Sequence, residues 1–100
     1  MGEYRVKLSN CAVQDLDEIY AYIAKNLLEP GIALNTVTEI ESGILSLNVM
    51  PHRCPERKTG VYANRGYRQL FVKNYTAVFR IDEKKKYVIV VTVRYSARQF

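Results

Sequence analysis

The chain has 100 residues, 48% of them hydrophobic and 25% charged, with a formal net charge of +5. That length suits one domain spanning residues 1–100 around one modest core, and that composition excludes a disordered chain. No apolar run nears the roughly 20 residues of a membrane span, and the N-terminus lacks a charged-then-apolar leader, so a cytoplasmic protein with no membrane partner is expected. The charge is split between the halves. Residues 1–50 carry three basic side chains against seven acidic ones, a balance of −4, while residues 51–100 carry twelve against three, a balance of +9. Such asymmetry implies a surface that meets phosphates or an acidic partner.

In chain order, Tyr4, Val6 and Leu8 alternate with charged residues, which predicts a half-buried strand over 3–8. Ser9 and Asn10 can cap a helix, with Asp15, Asp17 and Glu18 early in it, where the helix dipole favours anions. Ala12, Leu16, Ile19, Ile23 and Leu27 form one apolar stripe along that helix. Pro30-Gly31 breaks the pattern, and a second stripe follows at Ala33, Val37, Ile40, Ile44 and Leu47, ending near Met50-Pro51. The short link makes the two helices an antiparallel hairpin. Residues 51–64 read as loop with room for a short strand.

From Gly66 onward the character is β: Tyr67–Val72, Tyr75–Ile81 and Tyr87–Arg94, with Lys73-Asn74 as a tight turn and 82–86 as a charged hairpin tip. The order β-α-α-β-β-β predicts an α+β domain, an antiparallel sheet with the helix hairpin on one face. Tyr75, Ala77, Phe79 and Ile81 share a face that Ile89, Val91 and Val93 can meet, and the helices are expected there. The other face then carries Thr76, Val78 and Arg80 beside Val90, Thr92 and Arg94, a platform for a polyanion.

Neither cysteine belongs to a CxxC pair, and His52-x-Cys54 lacks the further ligands a metal needs, so reduced thiols, no metal and no cofactor are expected. The Lys84-Lys85-Lys86 run reads as a solvated tip. Tyr20 and Tyr22 lie about 200° apart on a helix and cannot both enter the core, which leaves Tyr22 to a surface or a partner groove.

Three segments together resemble the RelE/ParE superfamily of toxins from bacterial type II toxin–antitoxin modules. Asp15–Ala24 is similar to that family's first helix, Gly66–Leu70 with Tyr75–Asp82 to its central hairpin, and Val93–Arg98 to its closing strand and basic tail. The resemblance implies a growth-stalling toxin whose partner is an acidic cognate antitoxin. RelE-like members cut messenger RNA on the ribosome; ParE-like members poison DNA gyrase.

For RNA cleavage, the resemblance nominates Glu56 as general base, Arg68 and Arg98 for charge stabilisation, and Tyr95 near the chemistry. Arg68, Lys73, Arg80, Arg94 and Arg98 are the candidate phosphate-binding set. The expected activity is ribosome-dependent mRNA cleavage, a metal-independent endoribonuclease reaction, with gyrase inhibition as the alternative. Two departures stand out: Ser96-Ala97 replaces the catalytic His-Tyr pair of one nuclease branch, and Thr76 occupies the position of the central-strand arginine.

Overall fold

The computed structural model describes residues 3–97. Strand β1 (Arg5–Leu8) leads into helix α1 (Asn10–Ala21), a π-helical turn (Tyr22–Asn26) and helix α2 (Pro30–Leu45). Strands β2 (Arg68–Val72), β3 (Tyr75–Asp82) and β4 (Tyr87–Tyr95) follow. The sheet order is β1-β4-β3-β2, and the fold is α+β as the element order predicts. No helix among the described residues is long and apolar enough to cross a membrane.

Local chemistry explains the boundaries. The Ser9 hydroxyl accepts the Ala12 N–H at 3.0 Å and donates to the Val91 carbonyl at 2.9 Å, so one side chain caps α1 and fastens it to β4. Pro30 starts α2 at its first turn, where a missing N–H costs nothing, and does not interrupt it. Lys73 (φ 52°) makes the tight turn between β2 and β3, and the Asp82 carboxylate accepts the N–H groups of Lys84 and Lys85 at the second hairpin.

The buried core joins Tyr4, Ala12, Leu16, Ile40, Ile44 and Leu47 to Ala77, Phe79, Val88, Val90 and Val93. Helix α2 lies close on β2 at Gly43, where an added Cβ would sit 2.7 Å from the Val72 Cγ2.

Three sequence expectations are corrected. The sheet is mixed rather than antiparallel: β1 pairs parallel with β4, which the long two-helix connection permits. On β4, Thr92 pairs with Val78 but Val90 with Phe79, so Val91 is the extra residue of a bulge. The bulge inverts the pleat, sending Val88 and Val90 to the core and Ile89 to the opposite face. Leu27 is 53% exposed, because the Leu27 N–H donates to the Tyr22 carbonyl in an i→i+5 bond. That wider turn rotates the end of the apolar stripe out of the core.

Candidate functional site

Strand β1 stops at Leu8, which pairs with Val90, so β4 beyond that point has a free edge. Asp15 fills it. Its carboxylate accepts the Val93 N–H at 3.0 Å and the Thr92 hydroxyl at 2.6 Å, and Arg94 Nε donates to the same Thr92 oxygen at 3.2 Å. One strand over, the hydroxyls of Thr76 and Ser96 share a hydrogen bond at 2.7 Å. Thr76 and Thr92 are fully buried. The expected platform of open threonines is therefore replaced by hydroxyls saturated within the protein.

Between the helix hairpin and this end of the sheet runs a groove of about 1020 Å³. Ile19, Tyr22, Leu27 and Ile32 line it from the helices, with Tyr75 and Tyr95 from the strands. The Tyr75 and Tyr95 rings meet edge to face at 5.7 Å, and burial together with the neighbouring phenols of Tyr95 and Tyr22 pushes the Tyr75 pKa up. Tyr22 is 55% exposed and lines this groove.

The nominated catalytic residues do not converge. Tyr95 pairs with Tyr75 at one end of the sheet, while Glu56 bridges Arg68 and Arg68 pairs with Phe79 towards the other. Four residues along β3 and three strand spacings separate the Glu56 and Tyr95 backbones, about 19 Å. Arg68 shares the helix side of the sheet with Leu70 and Val72, not the side of Arg80. Its guanidinium donates to the Cys54 carbonyl at 2.7 Å and the His52 carbonyl at 3.3 Å, with the Glu56 carboxylate 4.0 Å away. This arginine holds the 52–56 segment against the sheet. Replacing it by Met is expected to lower stability by about 1–2 kcal/mol; urea unfolding measures the loss.

The remaining candidates are equally scattered. Lys73 pairs with Glu39 of α2 at 3.3 Å. Arg80 is exposed on the face away from the helices, and Arg94 lies along the β4 edge. Arg98 lies outside the described residues. Cys54 is buried, and burial pushes its thiol pKa up, which disfavours the nucleophilic thiolate. Sequence reasoning missed Asp15 as the partner of β4 and Ser96 as the partner of Thr76, since neither distance in sequence nor periodicity signals such pairs.

At the far end of the molecule a polar latch ties the N-terminal segment to the second hairpin. The Glu83 carboxylate accepts the Tyr4 hydroxyl at 2.7 Å and meets His52 Nε2 at 2.6 Å, with Lys86 Nζ at 3.9 Å. The Tyr4 hydrogen bond, followed by His52 and Lys86, holds the Glu83 pKa below its ordinary value. A depressed carboxyl pKa adds stability above the unfolded-state value and loses it as pH falls through the folded one. The melting-temperature gap between the protein and Glu83→Gln is therefore expected to be largest near neutral pH. It should close as the medium is acidified from the ordinary carboxyl range to below it, and a gap constant with pH would contradict the latch.

A family model described as ParE toxin of type II toxin–antitoxin system, parDE, matches residues 6–100. No curated protein matches the sequence. Among solved structures, the chromosomal ParDE toxin–antitoxin system of P. aeruginosa is similar at 24% identity, covering 93% of this chain and 96% of that one, with a TM-score of 0.77. The RelBE2 toxin–antitoxin complex of Mycobacterium tuberculosis is similar at 20% identity over 98% and 97%, with a TM-score of 0.62. The RelE–RelB complex of Pyrococcus horikoshii OT3 follows at 17% identity over 96% and 98%, with a TM-score of 0.53. At these identities the structural likenesses speak to the fold.

Proposed function

This chain belongs to the ParE toxin family of type II toxin–antitoxin systems, and from that premise we propose that it stalls growth by acting on DNA gyrase without cutting RNA. The observation that carries the reading is the Thr76–Ser96 hydroxyl pair at 2.7 Å. By resemblance, both nuclease branches carry a phosphate-gripping arginine at the first of those positions, and one branch carries a catalytic histidine at the second. Two neutral hydroxyls bonded to each other neither neutralise a phosphorane nor shuttle its protons. The roughly 19 Å between the Glu56 and Tyr95 backbones also speaks against an acid–base pairing of those two residues.

A cognate antitoxin is the proposed partner, and the groove beside Tyr22, Tyr75 and Tyr95 is suited to an amphipathic helix laid in by its apolar face. Acidic residues on such a segment would answer the basic balance of residues 51–100.

Induction in cells tests the reading. DNA-damage signalling is expected to rise before protein synthesis falls, and Glu56→Gln or Tyr95→Phe is expected to leave growth inhibition intact. Abrupt translational arrest with new 5′ ends inside messages, lost in those variants, would restore RNA cleavage.

A further inference from the structure

Parallel pairing of β1 with β4 creates a charged surface that the linear sequence does not announce. Lys7 pairs with Ile89, and Ile89 with Arg80, so the three side chains form one row across three strands. Arg5, Tyr87 and Asp82 form the next row on the same side. This is the face away from the helices, and Arg5, Lys7 and Arg80 are all exposed on it. The three backbones lie about 7–12 Å from one another.

Several other cations of the described residues are occupied: Arg53 and Arg68 by backbone carbonyls, Lys73 by Glu39 and Lys86 by Glu83. No carboxylate of the described residues forms an ion pair with Arg5, Lys7 or Arg80. The one acid in the strip, Asp82, is turned to the hairpin, where its Oδ1 accepts the Lys84 and Lys85 N–H groups. That bond orders a tip that carries two exposed lysines, Lys84 and Lys85.

From this we infer that Arg5, Lys7 and Arg80, with the Lys84–Lys85 tip, form a docking strip for the phosphate backbone of duplex DNA. Duplex is favoured over single strand because Lys7 Nζ sits 4.0 Å above the centre of the Tyr87 ring. The strip's aromatic face is thereby covered, whereas single-strand readers need open rings for bases to stack on. A duplex presents about one charge per 1.7 Å of axis, enough to meet all three cations together. The choice of DNA as the polyanion rests on the gyrase reading; the strip itself does not.

Fluorescence anisotropy of the full chain with a labelled duplex of about 20 base pairs, titrated over salt without gyrase, tests the inference. The triple change Arg5→Gln, Lys7→Gln, Arg80→Gln is expected to weaken binding roughly tenfold or more at about 0.1 M salt. It should also flatten the log K against log salt slope by about 2.7, while Lys25→Gln and Lys58→Gln change neither. A thermal melt verifies that the triple variant is folded, as three exposed substitutions should leave it. Unchanged affinity and slope in the folded triple variant would overturn the inference. So would tighter binding of the same-sequence RNA duplex, or of polyglutamate, through these residues. Loss of DNA binding in the triple variant with gyrase inhibition retained would uphold the strip and leave the gyrase reading standing by itself.

Discussion

Phe79→Ala is expected to lower the unfolding free energy by about 3–5 kcal/mol, a large share of what a domain this size has. Phe79 is wholly buried in the middle of β3, between Arg68 on β2 and Val90 on β4. It belongs to the core cluster that joins the helices to the sheet, including Leu16 of α1 and Ile40 and Ile44 of α2. Truncation removes apolar contact on a rigid strand and leaves a cavity that the bulged β4 has little freedom to fill. Urea denaturation followed by circular dichroism measures the loss, which corresponds to a fall in melting temperature of roughly 15–30 °C. A loss below about 1.5 kcal/mol would mean that the two layers do not depend on this residue.

Asp15→Ala is expected to cost about 3 kcal/mol, although Asp15 is a surface helix residue by sequence pattern alone. Its carboxylate is the acceptor for the Val93 N–H and the Thr92 hydroxyl, both in residues almost wholly removed from solvent. Removing a charged acceptor strands two buried donors at once, and each stranded donor costs about 1–3 kcal/mol. Asp15→Asn keeps one acceptor oxygen and is expected to lose roughly half as much. Hydrogen exchange at Val93 should quicken in the alanine variant ahead of exchange in β3. Equal stability of alanine and wild-type proteins would show that water replaces the carboxylate at the β4 edge.

What the sequence discloses is what short-range chemistry dictates. The Ser9 cap, the Lys73-Asn74 turn and the apolar stripes through Leu16 and Ile40 each depend on neighbours within a few residues, and each lies where pattern places it. The bulge at Val91 follows from the fit between two strands, and no local signal in an all-apolar Val88–Val91 run marks it. Nor does pattern reveal that Asp15 reaches across 77 positions to Thr92, or that Arg5 and Lys7 of the acidic half join Arg80. The charge split between the halves nominates cations of residues 51–100, whereas the exposed row beside Arg80 takes Arg5 and Lys7 from the acidic half. Arg68 and Lys73 are tied up in holding the fold together, and two cations from the first strand stand on the exposed face with Arg80.

A ParE-family scaffold with neutral hydroxyls at its would-be RNA-cleaving positions is proposed to act on gyrase instead. Purified chain added to gyrase, ATP and relaxed plasmid examines this action most directly, with supercoiling and gyrase-linked DNA breaks read on one gel. Dose-dependent loss of supercoiling with accumulation of broken plasmid is the predicted result. Full supercoiling at every dose of a chain that still stalls growth would contradict it.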